Sequence, residues 1–371
     1  MQLTRTVREF CEAEVAPRAR EWDRTGRFPA ETVKKLGELG LLGLYVPEEY
    51  GGAGLDALAG AAVIEEVARW DGSLALTVAS HNGLCSTHLR LFGSEAQKRR
   101  YLPPLASGAK LGAWALTEPG SGSDAAGLRT AAVRHGSGWR ITGTKTFITQ
   151  GSVGDVIVVL ASTAPEKRQH GITAFVLEPG LPGLERRALH GKLGMRASDT
   201  AELSFDGVEV GDEARVGEVD HGFIDTLQIL ERGRVTIGAL ATGLGRGAIE
   251  QAVRYAKERT AFGRPIAEFE ALRFMLADMA MENQAARALV HRAAWLCGQG
   301  RPFGREAAMA KLFASEAAMR ACSRAVQIHG GYGYTDEFPV ERYLRDAKLC
   351  EIGEGTSEIQ RTVIARAVLA G

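Results

Sequence analysis

Asparagine is nearly missing from this chain: it occurs only at Asn82 and Asn283, while arginine is abundant. That bias fits a thermophilic source or a GC-rich genome equally. Net charge is missing too, since Lys+Arg and Asp+Glu both number 45. A chain with no bulk positive charge and no basic tail is a poor match for nucleic acid or an anionic membrane. No apolar run is long enough to span a bilayer, so no membrane partner is expected. The five cysteines, Cys11, Cys85, Cys297, Cys322 and Cys350, form no CxxC pair. Isolated, mostly buried thiols in a reducing cytosol are the economical interpretation. The eight histidines lack zinc-type spacing, so no metal is expected. The opening MQLTRTVREFCEAEV mixes charges with apolar residues at helical spacing. It resembles neither a signal peptide nor a clear transit peptide, and a cytoplasmic location is expected.

What is present changes period along the chain. Leu36, Leu39 and Leu42, then Val63, Ile64 and Val67, recur at helical spacing in the first third. Pro47, Gly51, Gly52 and Gly54 interrupt that pattern with a loop, and Pro103, Pro104 and Gly108 predict a boundary near residue 108. Short segments rich in β-branched and aromatic residues follow and predict strands: Trp139 to Thr142, Val156 to Leu160, Ile172 to Leu177, and Ala201 to Phe205. After Gly222 the chain is Ala-rich, with helices predicted over about 223–259, 266–297 and 305–329. The expected division is a helical domain over 1–108, a β domain over 109–215 and a helical domain over 216–371. A helical–β–helical order does not suit a doubly wound nucleotide fold. Gly243, Gly245 and Gly247 imitate a dinucleotide loop, but no strand precedes them, and close helix packing is expected instead.

The most informative segment is Gly353-Glu354-Gly355-Thr356-Ser357-Glu358-Ile359-Gln360-Arg361. It sets one carboxylate between two glycines, ahead of a predicted helix. Ser357 and Gln360 have capping-box spacing, so the helix is predicted to start there. Flanking glycines let substrate and backbone come close, which suits a general base that must reach a carbon-bound proton. The alternative is a glycine-rich turn with a solvated glutamate.

Four further segments accompany it: ALTEPGSGSD (Ala115 to Asp124), ITGTKTFITQG (Ile141 to Gly151), RTAFG (Arg259 to Gly263) and QIHGG (Gln327 to Gly331). Thr117 and Thr149 offer hydroxyls, Phe147 a flat surface, and Ser121, Gly122 and Ser123 a turn whose N–H groups can face phosphate. Without the other motifs, this would read as a hairpin rim of Thr and Gly. Arg259 can pair with a pyrophosphate and Gln327 can hydrogen-bond it beside Gly331. Alternatively, Arg259 is one more arginine facing a helix C-terminus.

In this order and at these distances the five motifs resemble the acyl-CoA dehydrogenase family of flavoenzymes. The resemblance extends from Trp22-Asp23 and PEEYGG (Pro47 to Gly52) to Arg361. It implies an α+β fold: an N-terminal helical domain, a central antiparallel β domain and a C-terminal four-helix bundle. It implies FAD, held by Leu116, Thr117, Ser123, Phe147, Thr149, Arg259, Phe262, Gln327, Gly331, Thr356 and Glu358. Ser123, Glu231, Arg234 and Gly355 match positions near an acyl-CoA substrate, and Glu354 matches the base that removes the Cα proton. Some members carry the base elsewhere, at the position matching Gly233. Glu231 and Arg234 could equally form a helix i, i+3 ion pair. The group from Arg259 to Gly331 is expected to reach a neighbouring subunit's cofactor, implying a homo-oligomer, usually a tetramer. An electron-transferring flavoprotein is the expected acceptor. Phe147 stands where Trp is commoner, and Ala261 where a polar residue is common, which would remove one cofactor hydrogen bond. The segment from Ser80 to Cys85 looks like short- or branched-chain members. A flavin-dependent oxidase or monooxygenase, or a non-catalytic flavoprotein, remains the alternative on the same fold.

Overall fold

The computed structural model describes residues 2–370. Its first third is helical: α1 (Gln2–Phe10), α2 (Ala19–Thr25), α3 (Ala30–Glu38), α4 (Ala57–Ala68), α5 (Gly72–Ser80), α6 (Thr87–Phe92) and α7 (Glu95–Ala106). Three of these begin on side-chain caps that take up free N–H groups: Asp56 accepts from Ala59, Asp71 from Leu74, and Ser94 forms a capping box with Gln97. Leu36, Leu42, Val63, Ile64 and Val67 are fully buried, as their spacing predicts. Leu39 is 44% exposed, because α3 ends at Glu38 and helical periodicity no longer sets its direction. Pro103 and Pro104 lie inside the last turn of α7. A π-helical turn, His81–Ser86, joins α5 to α6 with every residue buried.

The predicted strands lie within one sheet made of β1 (Gly112–Ala115), β2 (Ala131–His135), β3 (Gly138–Thr149), β4 (Val156–Ser162), β5 (Ile172–Leu177), β6 (Leu184–Ala188), β7 (Thr200–Gly211) and β8 (Arg215–Val216). Its order is β6-β7-β3-β2-β4-β5-β8, with β1 beside β4. Pairing is antiparallel except for β1 with β4 and the single contact Ala131–Ser162 of β2 with β4, which are parallel. The β2–β3 hairpin between β1 and β4 supplies the crossover that lets both run the same way. Alternation in β4 divides its residues between two cores. Val156, Val158 and Leu160 pack with Leu89, Leu102 and Leu105 of the helices, while Ile157, Val159 and Ala161 pack with Trp139, Phe175 and Leu203 of the sheet.

The last part is helical: α8 (Gly222–Glu258), a two-stranded hairpin of β9 (Thr260–Ala261) and β10 (Arg264–Pro265), then α9 (Glu270–Gly298), α10 (Gly304–His329), α11 (Val340–Ile352) and α12 (Ser357–Leu369). Helices α8 to α11 pack as the expected bundle, and α12 adds a fifth helix against α10. The 37 residues of α8 rise about 55 Å. It starts against β5, where Gly222 leaves no room for a Cβ beside Ala174. Gly243 and Gly247 lie against the carbonyls of Glu65 and Arg69, and Gly245 against Asn283. These glycines therefore bring helices together. No helix among the described residues is long and apolar enough to cross a membrane.

Candidate active site

Gly353-Glu354-Gly355-Thr356 links α11 to α12, and both helices pack on α10. The link turns on two left-handed residues, Glu354 at φ 53° and Gly355 at φ 93°. Glycine adopts this freely, whereas a residue with a Cβ loses about 1–2 kcal/mol. Such strain persists only where the surroundings fix it. Lys311 Nζ donates to the Gly355 carbonyl at 2.7 Å. Gln360 Nε2 donates to the same oxygen at 2.8 Å and to the Glu354 carbonyl at 3.4 Å. The helix begins at Ser357 as predicted, but Thr356 caps it, its Oγ1 accepting from Ile359 N–H at 3.4 Å. The expected capping box does not form, because the Gln360 amide turns back to the link carbonyls.

The Glu354 side chain reaches α8. Its Oε2 is shut off from solvent and has no hydrogen-bond partner. It occupies the space that a Cβ on Gly233 would fill, and Leu84 Cδ2 of the π-helical turn lies 3.3 Å from the same point. The two alternative base positions therefore face one another. Burial raises the Glu354 carboxyl to about 7, against the pull of the Lys311 ammonium and the Arg234 guanidinium. Lys311 has no exposed surface, and burial lowers its ammonium to about 8. Arg234 is 7% exposed with an unpartnered Nε, and burial lowers its pKa as well. A carboxyl that exchanges its proton near neutrality, with an enclosed oxygen that has no partner and two buried cations nearby, can accept a proton from a bound molecule. Glu231 makes no ion pair with Arg234 among the described residues. Its Oε1 lies against Gly304 in the first turn of α10, where the helix dipole favours a carboxylate.

A second group lines the edge of the sheet. Phe147 is 69% exposed at φ 57°. Between the pairs Lys145–Leu203 and Ile148–Ala201, β3 holds one more residue than β7, and this bulge lifts Phe147 outward. Thr117 and Thr149 are half-buried, Leu116 is buried and Ser123 is exposed. Nothing lies within 4 Å of where a Cβ on Gly120 or Gly122 would sit. Ser121 is spent inside the turn, donating to the Asp124 carbonyl at 2.5 Å. The rim is pinned from beneath. Fully buried Lys145 donates to the Leu116 carbonyl at 2.9 Å and to Glu118 Oε1 at 2.8 Å. Glu118 accepts the N–H groups of Arg129 and Thr130, and Thr146 N–H donates to the Thr117 carbonyl at 2.9 Å. An open aromatic face, two hydroxyls and an unobstructed small-residue turn fit a flat ring carrying a phosphate tail.

The third group lies far along α8. From Gly233 to Glu258 the helix rises about 38 Å. Arg259 caps its C-terminus, and its guanidinium sits 5.8 Å over the Tyr332 ring. Arg259 and Gly331 share a concavity of about 550 Å³ with Tyr255, His329, Tyr332 and Thr335. Gln327 and Phe262 lie outside it. Gln327 is exposed on α10, and Phe262 is 96% exposed at the tip of the β9–β10 turn, where it and Gly263 are both left-handed. Thr356 and the exposed Glu358 remain with the Glu354 link. The site residues thus separate into two neighbourhoods and a remote one.

Sequence reasoning missed Lys311, the Gly233 gap and the Lys145–Glu118 pair. A single lysine in the alanine-rich run AAMAKLFAS was the available signal for the first. A lysine and a glutamate inside motifs already singled out were the signal for the last.

A helical unit, a sheet carrying an open aromatic edge and a helical bundle holding an inward carboxylate together define the acyl-CoA dehydrogenase fold. Family profiles agree along the chain: acyl-CoA dehydrogenase N-terminal domain over residues 1–109, middle domain over 113–208 and C-terminal domain over 220–369. The short-chain-specific acyl-CoA dehydrogenase of Clostridium acetobutylicum is 45% identical over 359 residues, 97% of this chain and 95% of that protein. Butyryl-CoA dehydrogenase from Megasphaera elsdenii superposes with a TM-score of 0.97 at 42% identity, covering 99% of this chain and 97% of that one. A chain in a structure described as the electron transferring flavoprotein of Acidaminococcus fermentans superposes with a TM-score of 0.98 at 43% identity, covering 100% and 97%. This chain belongs to the acyl-CoA dehydrogenase family, whose members are flavin-dependent oxidoreductases acting on acyl-CoA thioesters.

Proposed function

We propose that the chain removes one hydrogen each from Cα and Cβ of a short or branched acyl-CoA, giving the trans-2-enoyl-CoA, with Glu354 as the base. The observation that carries this proposal is the enclosed, unpartnered Glu354 Oε2 at the Gly233 gap, with a proton affinity near neutrality. Glu354 takes the Cα proton, and Leu84 and Gly233 bound the space it faces. The Glu354 N–H has no protein acceptor among the described residues, so it is free to hydrogen-bond the thioester oxygen as enolate-like charge develops there. FAD, when bound, would supply the two-electron acceptor for the hydrogen leaving Cβ. Thr117, Thr149 and Phe147 would meet its ring, Leu116 and Ser123 its neighbourhood, and Thr356 and Glu358 would lie beside it from the Glu354 link. Ser123, Glu231, Arg234 and Gly355 are assigned to the substrate side.

Arg259, Phe262, Gln327 and Gly331 are assigned to the FAD of a neighbouring subunit, because about 38 Å of α8 separates Arg259 from the gap beside Glu354, and Gly331 shares the concavity of Arg259. Apolar residues exposed at heptad spacing on α9, Phe274, Met281 and Trp295, are a face for subunit contact. A homotetramer is therefore proposed, with an electron-transferring flavoprotein as acceptor. The likeness to the Acidaminococcus chain is in keeping with that partner. The test is an anaerobic screen of acyl-CoA esters for loss of flavin absorbance, with the released cofactor identified by chromatography. No bleaching by any ester, or FMN in place of FAD, would overturn the proposal. Rapid reaction of the reduced flavin with oxygen would replace it with the oxidase alternative.

A further inference from the structure

One buried titratable group beside Glu354 has no role in the steps above. Lys311 projects from α10 with no exposed surface, on a buried face shared with Ala307, Ala308, Ala314 and Ser315. Among the described residues its one hydrogen bond goes to a neutral carbonyl, that of Gly355, at 2.7 Å. Gln360 already donates to that oxygen at 2.8 Å. A neutral amide would satisfy the carbonyl without the desolvation cost of a buried ammonium. The charge therefore needs a separate reason; of the two nearby carboxylates, Glu351 is already paired with Lys348 at 2.6 Å, which leaves Glu354.

We propose that Lys311 is the positioning residue of the base: through the Gly355 carbonyl it holds the link in its left-handed turn, and its buried charge favours the ionised Glu354 carboxylate. The groups that face this pair are few. Burial and Arg234 on α8 oppose a charged Lys311, the Glu354 and Glu351 carboxylates favour it, and the Cys350 thiol on α11, pushed up to about 12 by burial, stays neutral over the range tested. Arg234 acts with Lys311 on Glu354. Arg234 has only its charge to offer, whereas Lys311 is also bonded to the residue following the base. Resting on Glu354 as the base, this role makes two separable demands, a charge and a donor.

The test uses the FAD-loaded enzyme and anaerobic stopped-flow reduction by its best acyl-CoA, from pH 6 to 9. Lys311→Met removes charge and donor. Lys311→Gln keeps a donor, and Lys311→Arg keeps both. In the Met variant the rising limb of the reduction rate should move up by at least about one pH unit. Its plateau should fall roughly tenfold through misplacement of the link. The Gln variant should show the shifted limb with a better plateau, and Arg should restore the limb. Acyl-CoA binding should change little. A Met or Gln variant with the wild-type limb and only a lower melting temperature would make Lys311 merely structural and overturn the proposal. Glu354→Gln is run alongside: if it reduces its flavin at the wild-type rate, the base assignment itself has failed, and the role of Lys311 with it.

Discussion

Replacing Glu354 by glutamine should slow flavin reduction and at the same time relieve a strain on the fold above neutral pH. The carboxyl keeps its proton up to about pH 7 in the folded chain, against 4.5 as its ordinary value. A raised folded pKa contributes stability that is fully present below about pH 4.5 and lost as pH rises through 7. Above that, the fold must hold an anion where burial disfavours one. The shift corresponds to about 3 kcal/mol. This is a ceiling, because Glu354 as a whole is half-buried and only Oε2 is wholly enclosed. Glutamine keeps the size and never ionises.

The assay is equilibrium urea unfolding of wild type and variant at fixed FAD, from pH 5 to 8.5. The variant's relative stability should grow with pH by up to about 3 kcal/mol and level off above pH 8. An unpartnered amide adds a constant cost of about 1–3 kcal/mol, so the change with pH carries the information rather than the absolute difference. Flavin reduction by acyl-CoA should fall at least about a thousandfold with FAD content unchanged. The wild-type rate should rise with pH through about 7 as the base loses its proton. A stability difference that is flat with pH would refute the claim that the site holds this carboxylate against its own ionisation. Near-wild-type reduction would refute its role as base.

Three other outcomes are expected. Gly233→Ala puts a methyl group where Glu354 Oε2 lies, so reduction should drop on the order of a hundredfold with FAD content unchanged; an unaltered rate in stopped flow would show that the carboxylate works from elsewhere. Lys145→Met strands Glu118 in the interior, costing about 3–5 kcal/mol, and should lower both the melting temperature and FAD affinity measured by fluorescence; wild-type values of both would separate this pair from the flavin rim. Arg259→Ala should weaken FAD binding and assembly together, and mixing it with a Thr117/Ser123 double variant should regenerate some intact sites; a stable FAD-loaded monomer of the wild type would dispose of a shared site.

Element type was legible because period carries it. The predicted helices over about 223–259 and 305–329 match α8 and α10 to within one residue at each end, while the one over about 266–297 begins four residues before α9, because Ile266–Glu268 forms a separate 3-10 turn. The predicted segments in β4 and β5 read as strands for the complementary reason, having both faces buried and every second residue in a different core. What periodicity cannot see is a residue that leaves it. Phe147 leaves β3 through a bulge whose register is set by β7, more than fifty residues later in the chain. Glu354 was visible as a carboxylate between glycines, but its partners come from other helices. Lys311 is 43 residues earlier in the chain than Glu354, and Gly233 contributes by lacking an atom. The cap of α12 was misassigned by one residue because the Gln360 side chain had two competing targets, and the link carbonyls took it.

On the proposed shared cofactor site, α8 would tie the chemistry to assembly. One end of this helix starts against β5, its fourth turn carries the Gly233 gap, and its far end presents Arg259. About 38 Å of rise lies between gap and arginine. That far end also exposes Phe262 at 96%, Tyr334 at 87% and Tyr332 at 44%, a costly surface to leave in water. A second copy laid across it would cover these rings and bring its own flavin rim to the arginine. The same act of burial would then stabilise the dimer and complete two cofactor sites. On this proposal, dilution of the enzyme should release FAD in step with dissociation of the oligomer, because each half-site lacks what the other chain supplies. Loss of FAD at concentrations where the oligomer persists, or its retention by separated monomers, would show that the two half-sites are independent.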